Sequence, residues 1–300
     1  MRRGPKNPES KDISAALTGW NFEPGQVNVR IIRGRDGKAK IQLRLDLGLL
    51  QMELRGRPDG KRPHRCATEL DFQNHRLKKH YENGGTDDNF QLTARDCRLL
   101  RDESAMFYHR YLSLFVLGQY DGVLRDTSHN IGVLDMCHKF GPTPFDRQIL
   151  EQYRPYIVMM EGRARACAAL RDGFFNTAIA YLRGTLKHVI SIYGNPAAGE
   201  SPEALILSDM IHDIRRQLPP DPRAELHRLL QQAVAGEKYE EAAQLRDQLM
   251  AMHTAGAVAA KTTVRSASTK RPVAAPKSRR KAIPESQSHE YPADEASAES

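Results

Sequence analysis

The chain has 300 residues, 40% of them hydrophobic, and its 45 lysines and arginines against 37 acidic residues give a net charge of +8. This length allows one or two domains with tails, and the modest basic excess favours acidic partners such as nucleic acid without requiring them. The longest apolar-leaning stretch, 111–117, is far shorter than the about 18 residues of a membrane-spanning helix, so we expect no membrane partner.

Cysteine usage and the N-terminus bear on the cellular compartment. Cys66, Cys97, Cys137 and Cys167 contain no Cys-x-x-Cys pair, which argues against a zinc ribbon or a redox pair and fits free thiols in a reducing cytoplasm. The basic N-terminus is not followed by an apolar stretch, so we expect no secretory signal and predict a cytoplasmic protein.

Periodicity and chain breaks predict an α+β protein that is mostly α. A small N-terminal β-hairpin module packs on a helical body that resembles tetratricopeptide (TPR) helix pairs, and a C-terminal helical hairpin and a disordered tail follow. The predicted segments are a disordered start at 1–19, the β-hairpin module with one helix at 20–92, the TPR-like body at 93–218, the helical hairpin at 222–252 and the disordered tail at 253–300.

The β-hairpin module is predicted from alternating residues. Apolar and polar side chains alternate over 27–31 and again over 41–47, with Asp36-Gly37 between the two runs. Alternation on both sides of Asp-Gly is a strong signal for an antiparallel hairpin, and 49–54 is a candidate third strand. We expect the apolar face to pack on helices and the polar, basic face to meet solvent. That basic face carries Arg30, Arg33, Gln42 and Arg44.

Helical periodicity takes over after the module. Thr93 with Asp96 has the pattern of a capping box, and Ser201-Pro202 places a cap residue before a first-turn proline. The predicted helices span 69–81, 93–117, 120–138, 145–171, 174–193 and 201–217.

Three interhelical turns, at 118–123, 173–178 and 236–242, share a pattern. In each, a glycine precedes an aromatic residue by two or three positions, and a small or branched residue follows the aromatic by three. Glycine permits the left-handed conformation that often ends a helix, and the aromatic then packs the second helix on the first. This repeat resembles TPR helix pairs, although the rest of that signature is missing. An irregular helical bundle is the alternative.

The segment 222–252 is predicted to form two short helices closed by a tight turn. In its second helix, apolar side chains follow the 4-3-4-3 spacing of a buried seam, and the first helix carries a matching stripe. The second-helix seam is Lys238, Ala242, Leu245, Leu249 and Met252, and the first-helix stripe is Leu226, Leu229, Leu230, Ala233 and Val234.

Beside this seam runs a second row at helical spacing, which we interpret as a partner-binding surface. Arg246 lies in the middle of it and has no acid three or four residues away, so we expect no ion-pair partner within its own helix. An interface arginine often meets a carboxylate of the partner. The alternative is that Arg246 lays its stem along the hairpin and leaves its head in water. The predicted partner-binding residues are Tyr239, Ala243, Arg246, Asp247 and Met250.

The residues 237–247, Glu-Lys-Tyr-Glu-Glu-Ala-Ala-Gln-Leu-Arg-Asp, resemble the UVR motif of the excision-repair proteins UvrB and UvrC. The resemblance implies a helical hairpin that associates with another UVR hairpin or with a protein partner. Stretches within 20–252 are also similar to a bacterial group called only UvrB/UvrC motif-containing proteins. This second resemblance does not indicate any particular activity. The chain has no Gly-x4-Gly-Lys-Ser/Thr phosphate loop, so excision chemistry is not supported.

The tail divides by charge. Its basic part, 261–281, holds eight cations and no acid, whereas 285–299 holds five acids and no lysine or arginine. Flexible basic segments bind DNA phosphates without sequence preference, although a solubilising role explains such a tail equally well. The predicted nucleic-acid contacts are Lys261, Arg265, Lys270, Arg271, Lys277, Arg279, Arg280 and Lys281.

No residues form a catalytic or metal-binding pattern above background, so we predict no cofactor. The candidates weighed and set aside are His75 with His80 as metal ligands, Cys137-His138 as a nucleophile pair, residues 108–111 as a base-stacking strip, and Asp121, Asp126 and Asp135 as acids. The sequence therefore predicts a non-enzymatic adaptor in DNA repair or stress regulation. The alternative is a nucleic-acid-binding accessory protein that uses the tail and the basic β face; an enzyme with an unrecognised site is the third option.

Overall fold

The computed structural model describes residues 13–218 and 222–250, and it is mostly helical with one small antiparallel sheet. The predicted fold class is therefore confirmed. Two compact units divide between Ser208 and Asp209, inside a helix, and each is described by itself below.

The sheet contains the two predicted strands and the candidate third. β1 (Val29–Arg33), β2 (Ala39–Arg44) and β3 (Leu49–Glu53) pair in the order β1-β2-β3, with both pairs antiparallel. The turn between the first two strands uses Gly37 at φ 75°. The Asp-Gly pair therefore predicted the position of the hairpin turn correctly.

The two faces of the sheet differ from the expectation. Ile41, Leu43 and Met52 are buried as predicted, but Gln42 on the polar face is buried too. It accepts a hydrogen bond from Arg30 Nε at 2.8 Å and donates one to Gln51 Oε1 at 3.0 Å.

Residues that precede the sheet in the chain cover this polar face. The Arg30 guanidinium lies 4.0 Å from the centre of the Trp20 ring and donates to the Ala16 carbonyl at 2.7 Å, and Arg44 Nε donates to the Trp20 carbonyl at 3.3 Å. The chain near Ala16 forms one helical turn, α1 (Ser14–Leu17), within the stretch that was expected to be disordered. Arg30 and Arg44 thus make contacts inside the chain, contrary to the expectation of an open basic face.

The helices follow the predicted order with one break. The predicted helix at 145–171 is instead a short helix at Pro144–Gln148, a 3-10 turn at Glu151–Tyr153 and a longer helix at Arg154–Arg171. Pro155 has no backbone N–H to donate to the preceding turn, which explains why one continuous helix does not form. The observed helices are α2 (Glu69–Glu82), α3 (Ala94–Val116), α4 (Tyr120–Phe140), α5 (Pro144–Gln148), α6 (Arg154–Arg171), α7 (Phe175–Tyr193), α8 (Pro202–Gln217), α9 (Pro222–Ala235) and α10 at 239–250.

The core of the first unit lies between successive helices. α3 packs on α4, α4 on α6 and α6 on α7, so the four long helices pack against one another in chain order. Buried side chains such as Cys97, Leu100, Leu134 and Ile157 fill the main cluster. Both bonds of the predicted capping box at the start of α3 are present, Thr93 N–H to Asp96 Oδ2 at 2.9 Å and Asp96 N–H to Thr93 Oγ1 at 3.1 Å.

Candidate docking surface of the C-terminal hairpin

The three turns singled out in the sequence share one backbone geometry. The left-handed residue is Gly118 (φ 69°) in the first, Gly173 (φ 83°) in the second and Glu237 (φ 57°) in the third. The expectation that Gly236 supplies this conformation is wrong. The correct alignment puts the left-handed residue two positions before the aromatic in every case.

The hydrogen bonds confirm that these are the same turn. The N–H after the left-handed residue donates to the carbonyl five positions back, from Gln119 to Leu114 at 2.9 Å, from Phe174 to Ala169 at 2.8 Å and from Lys238 to Ala233 at 2.9 Å. This is the long bond of a Schellman motif, which satisfies a carbonyl at the end of the first helix. The C-terminal hairpin therefore uses the same helix stop as the pairs α3–α4 and α6–α7.

The small or branched residue three positions after the aromatic is buried in all three pairs. Val123 and Ala178 are fully buried, and Ala242 is 8% exposed. The aromatic residue itself behaves differently. The Tyr120 ring contacts Phe115, with 5.8 Å between ring centres, whereas Tyr239 is 69% exposed. In the hairpin the aromatic is therefore available at the surface.

The predicted seam of the hairpin is present in its central part. Ala233 and Ala242 are its buried members, while the leucines of both helices are partly buried. Two predicted members are not part of it, because Val234 is 52% exposed and Lys238 is exposed and lies 3.5 Å from Glu241. Met252 lies outside the described residues. A seam this narrow leaves most of α10 at the surface.

The predicted partner-binding row is exposed along the whole of α10. Tyr239 and Met250 stand at its two ends, 69% and 63% exposed, and Ala243 and Arg246 are exposed between them. At about 1.5 Å rise per residue the row is roughly 16 Å long. It presents a tyrosine, a methionine and an arginine on one side of a helix.

The expectation that Arg246 has no ion-pair partner in its own helix is wrong. Its Nε and Nη2 both donate to Asp247 Oδ1, at 3.0 and 2.8 Å. Both side chains are nearly two-thirds exposed, so this ion pair contributes only about 0–1 kcal/mol. A carboxylate from outside the chain can therefore compete for the guanidinium at little cost.

The set-aside candidates for chemistry have structural partners. His75 Nδ1 lies 2.7 Å from the Asp71 carbonyl and His80 Nε2 lies 2.6 Å from Asn89 Oδ1. Arg110 and Tyr111 are fully buried, which excludes them from stacking on bases. Within the described ranges no three His, Cys, Asp or Glu side chains are grouped to hold a metal ion, and no helix is long and apolar enough to cross a membrane.

A short helical hairpin with a Schellman turn, an alanine-centred seam and an exposed outer row is the structural class that these features define. One family model matches it: the UVR family, described as the UvrB/uvrC motif, covers residues 223–254. The resemblance found in the sequence is confirmed, and the chain carries a UVR motif in this C-terminal part. No curated protein and no solved structure matches the chain. The predicted basic contacts at 261–281 lie outside the described residues.

Proposed function

We propose that the chain is a non-enzymatic adaptor that binds a protein partner, or a second copy of itself, through the exposed row of its UVR hairpin. The single observation that carries this proposal is the exposure of Tyr239, Arg246 and Met250 on one face of a helix whose adjacent face forms the seam. Tyrosine, arginine and methionine are enriched at interfaces, whereas the solvent face of an amphipathic helix typically carries charged and polar residues.

The energies of these side chains fit a binding role. Burying a large apolar side chain contributes about 1.5–3 kcal/mol, which Tyr239 and Met250 forgo while the row faces solvent. An arginine that exchanges a weak exposed ion pair for a desolvated one at an interface gains more, since hydrogen bonds to charged groups contribute about 1.5–3 kcal/mol. A partner with an apolar surface and a central carboxylate matches the row.

The experiment compares full-length baits in affinity capture from the native cell. Arg246→Glu reverses the charge at the centre of the row, and we expect it to lose specific partners, as does Tyr239→Ala. The matched control is the double variant Gln244→Glu/Gln248→Glu, which changes net charge by the same amount on the opposite, exposed side of α10. Sedimentation velocity on the same proteins tests self-association.

The control decides how a loss is interpreted. Partners, or self-association, that disappear with Arg246→Glu and Tyr239→Ala but persist with Gln244→Glu/Gln248→Glu support binding through the row. An unchanged partner list and an unchanged oligomeric state in all variants contradict the proposal. Circular dichroism on each bait shows whether the helices are retained, so that unfolding is not mistaken for lost binding.

The basic tail supports a second candidate function, a nucleic-acid-binding accessory role. Eight cations without an acid over 261–281 favour sequence-tolerant binding to phosphates. Mobility shifts of full length and of a 1–253 truncation, at low and at physiological salt, test it. We expect a salt-sensitive shift for the full chain only; equal shifts for both proteins reject a role of the tail.

We place the adaptor in the cytoplasm, in DNA repair or stress regulation. Four free cysteines fit a reducing compartment. The family of the hairpin takes its name from excision-repair proteins, which makes repair components the first partners to look for among captured proteins.

A further inference from the structure

An arginine of α6 differs from the other arginines of that helix. Arg154 pairs with Glu151, Arg165 with Glu161 and Arg171 with Asp172, at 2.6, 2.6 and 3.3 Å. Among the four arginines of α6, Arg163 is the one that pairs with no carboxylate of the described residues.

The contacts of Arg163 are weak or absent. Its Nη1 donates to the Met160 sulfur at 3.5 Å, and its guanidinium lies 4.6 Å from the centre of the Phe115 ring. Its Nε is buried and has no hydrogen-bond partner among the described residues. A thioether sulfur is a weak hydrogen-bond acceptor, and an aromatic ring offers the guanidinium only a cation–π interaction. Neither replaces a hydrogen-bonded anion.

The ionisable neighbours of Arg163 do not supply that anion either. Burial, with a contribution from Cys167, raises the pKa of Tyr120 to about 12, and burial raises the pKa of Tyr156 and of Cys167 above their ordinary values. All three groups are therefore neutral at pH 7. The negative charge of Glu203 contributes to the raised pKa of Tyr156. The Glu203 carboxylate accepts a hydrogen bond from Tyr193 Oη at 2.9 Å and does not pair with Arg163.

The site has the chemistry of a half-enclosed cation with aromatic walls. Burial lowers the pKa of Arg163, but a guanidinium stays protonated at any physiological pH, so the charge persists. Phe115, Tyr120, Tyr156 and Cys167 are only partly buried, which brings the cluster to the surface of the first unit. A buried donor without an acceptor is costly to folding and calls for a specific explanation.

We propose that Arg163, with Phe115, Tyr120 and Tyr156 around it, binds the carboxylate of a ligand whose body is apolar or aromatic. One guanidinium neutralises one negative charge, so a monoanionic carboxylate leaves no excess charge against the aromatic walls. A phosphate dianion would leave such an excess. The planar fork of arginine matches a carboxylate in two hydrogen bonds, and Nε is one of the two donors such a pair uses.

The test uses the full-length protein and sodium benzoate as probe, with benzamide as its neutral counterpart and inorganic phosphate as the other anion. Binding is followed by calorimetry and by ligand-observed NMR. The variant is Arg163→Met, which keeps an unbranched stem about as long as the arginine side chain up to Nε and removes the charged guanidinium. Arg165→Met, an arginine paired with Glu161 at the surface two residues away, is the matched control.

We expect benzoate to bind wild type and the Arg165→Met protein alike, and to lose tenfold or more in affinity in Arg163→Met, since a hydrogen-bonded charge pair is removed. Benzamide and phosphate bind at least tenfold more weakly than benzoate to wild type. Arg163→Lys, which keeps the charge without the fork, gives an intermediate affinity and serves if the methionine variant fails to fold. No benzoate binding at millimolar concentration, equal affinity in Arg163→Met, or a preference for phosphate overturns the proposal.

Discussion

Arg110 of α3 and Asp126 of α4 form a fully buried, two-point ion pair, with Nε 2.7 Å from Oδ2 and Nη2 2.8 Å from Oδ1. The remaining nitrogen, Nη1, donates to the carbonyls of Glu53 and Gly56 at 3.1 and 2.6 Å. One side chain therefore joins two helices of the body to the end of β3. All three nitrogens of the guanidinium donate hydrogen bonds, which makes burial of the charge tolerable.

Breaking this pair from one side is expected to destabilise the protein strongly. Asp126→Ala leaves the Arg110 charge buried without its counter-charge, and we expect a loss of about 3–5 kcal/mol in the free energy of unfolding, measured by urea titration. Arg125 also contacts Asp126 but is partly exposed, so Arg125→Gln serves as control and is expected to cost about 1 kcal/mol or less.

The double variant separates charge from geometry. Arg110→Met/Asp126→Leu removes both charges, which in other buried pairs is nearly neutral. Here it also removes the donor of the Glu53 and Gly56 carbonyls. We therefore expect only part of the stability lost in Asp126→Ala to be recovered. Full recovery would show that these two backbone bonds contribute nothing.

Close approach of α6 and α7 at Gly162 yields a second prediction. A Cβ at this position would overlap Thr185, whose Cγ2 and Cβ would lie 2.5 and 2.6 Å away. Thr185 is held by a hydrogen bond to the Tyr181 carbonyl at 2.9 Å and cannot easily turn aside. Gly162→Ala is therefore expected to cost about 1–3 kcal/mol of stability, measured by thermal and urea unfolding.

Gly184 on α7 is the matched control, because a Cβ there meets nothing within 4 Å. Gly184→Ala should stabilise by about 0.5–1 kcal/mol, since alanine favours a helix interior over glycine. Adding Thr185→Ala to Gly162→Ala should recover much of the loss. Equal effects of the two glycine variants would contradict the assigned contact between α6 and α7.

The lowered pKa of Glu103 predicts that the stability of the protein depends on pH. Burial opposes its ionisation, but His129, Nε2 of which lies 3.2 Å from Oε1, and the backbone N–H groups of Glu69 and Leu70 together hold the pKa of Glu103 below its ordinary value. A carboxyl with a lowered pKa in the folded state contributes stability that is complete above the unfolded value of about 4.3 and is lost as pH falls through the folded value.

Urea unfolding of wild type and Glu103→Gln between pH 7 and pH 3 measures this contribution. We expect the variant to be less stable by about 1.5–3 kcal/mol at pH 7, and the difference to shrink as pH falls below about 4.3. Burial also lowers the pKa of His109, so wild type and variant both lose stability below about pH 6.5. The difference between their free energies of unfolding therefore isolates the contribution of Glu103. A difference that is constant with pH would reject the lowered pKa.

Local signals in the sequence predicted most of the elements. The Asp36-Gly37 turn, the Thr93 capping box and the left-handed Gly118 and Gly173 are all effects of a few adjacent residues, and all are present. The break before α6 also had a local signal in Pro155, which the prediction of one helix over 145–171 did not take into account.

Contacts between distant residues could not be predicted in this way. Arg110 and Asp126 are sixteen positions apart, and a charged residue in an amphipathic helix is normally solvated, so periodicity alone gives no reason to bury either. Arg163 has the same difficulty, since only the packed structure shows that no carboxylate lies beside it. For the docking row, helical spacing predicted the exposed face correctly, but it missed the adjacent Asp247 as a partner of Arg246 because neighbours in a helix point about 100° apart.

The left-handed Glu237 predicts a stabilising substitution in the hairpin. A residue with a Cβ pays about 1–2 kcal/mol in this conformation, and glycine costs about 0.5–1 kcal/mol of extra chain entropy. Glu237→Gly should therefore stabilise the turn by about 0.5–1 kcal/mol and make it resemble the turns at Gly118 and Gly173. Hydrogen exchange of the full-length protein, followed in peptides covering 222–250, should slow about two- to fivefold.

Gln244→Gly supplies the opposite change in the same hairpin. Residue 244 lies inside α10 and is exposed, so glycine there loses helix propensity without relieving strain and should speed exchange in the same peptides. Because neither variant alters Tyr239 or Arg246, partner capture should be retained in Glu237→Gly. Faster exchange in Glu237→Gly would mean that residue 237 does not occupy the left-handed conformation in solution, and the equivalence of the three turns would then be limited to their sequence pattern.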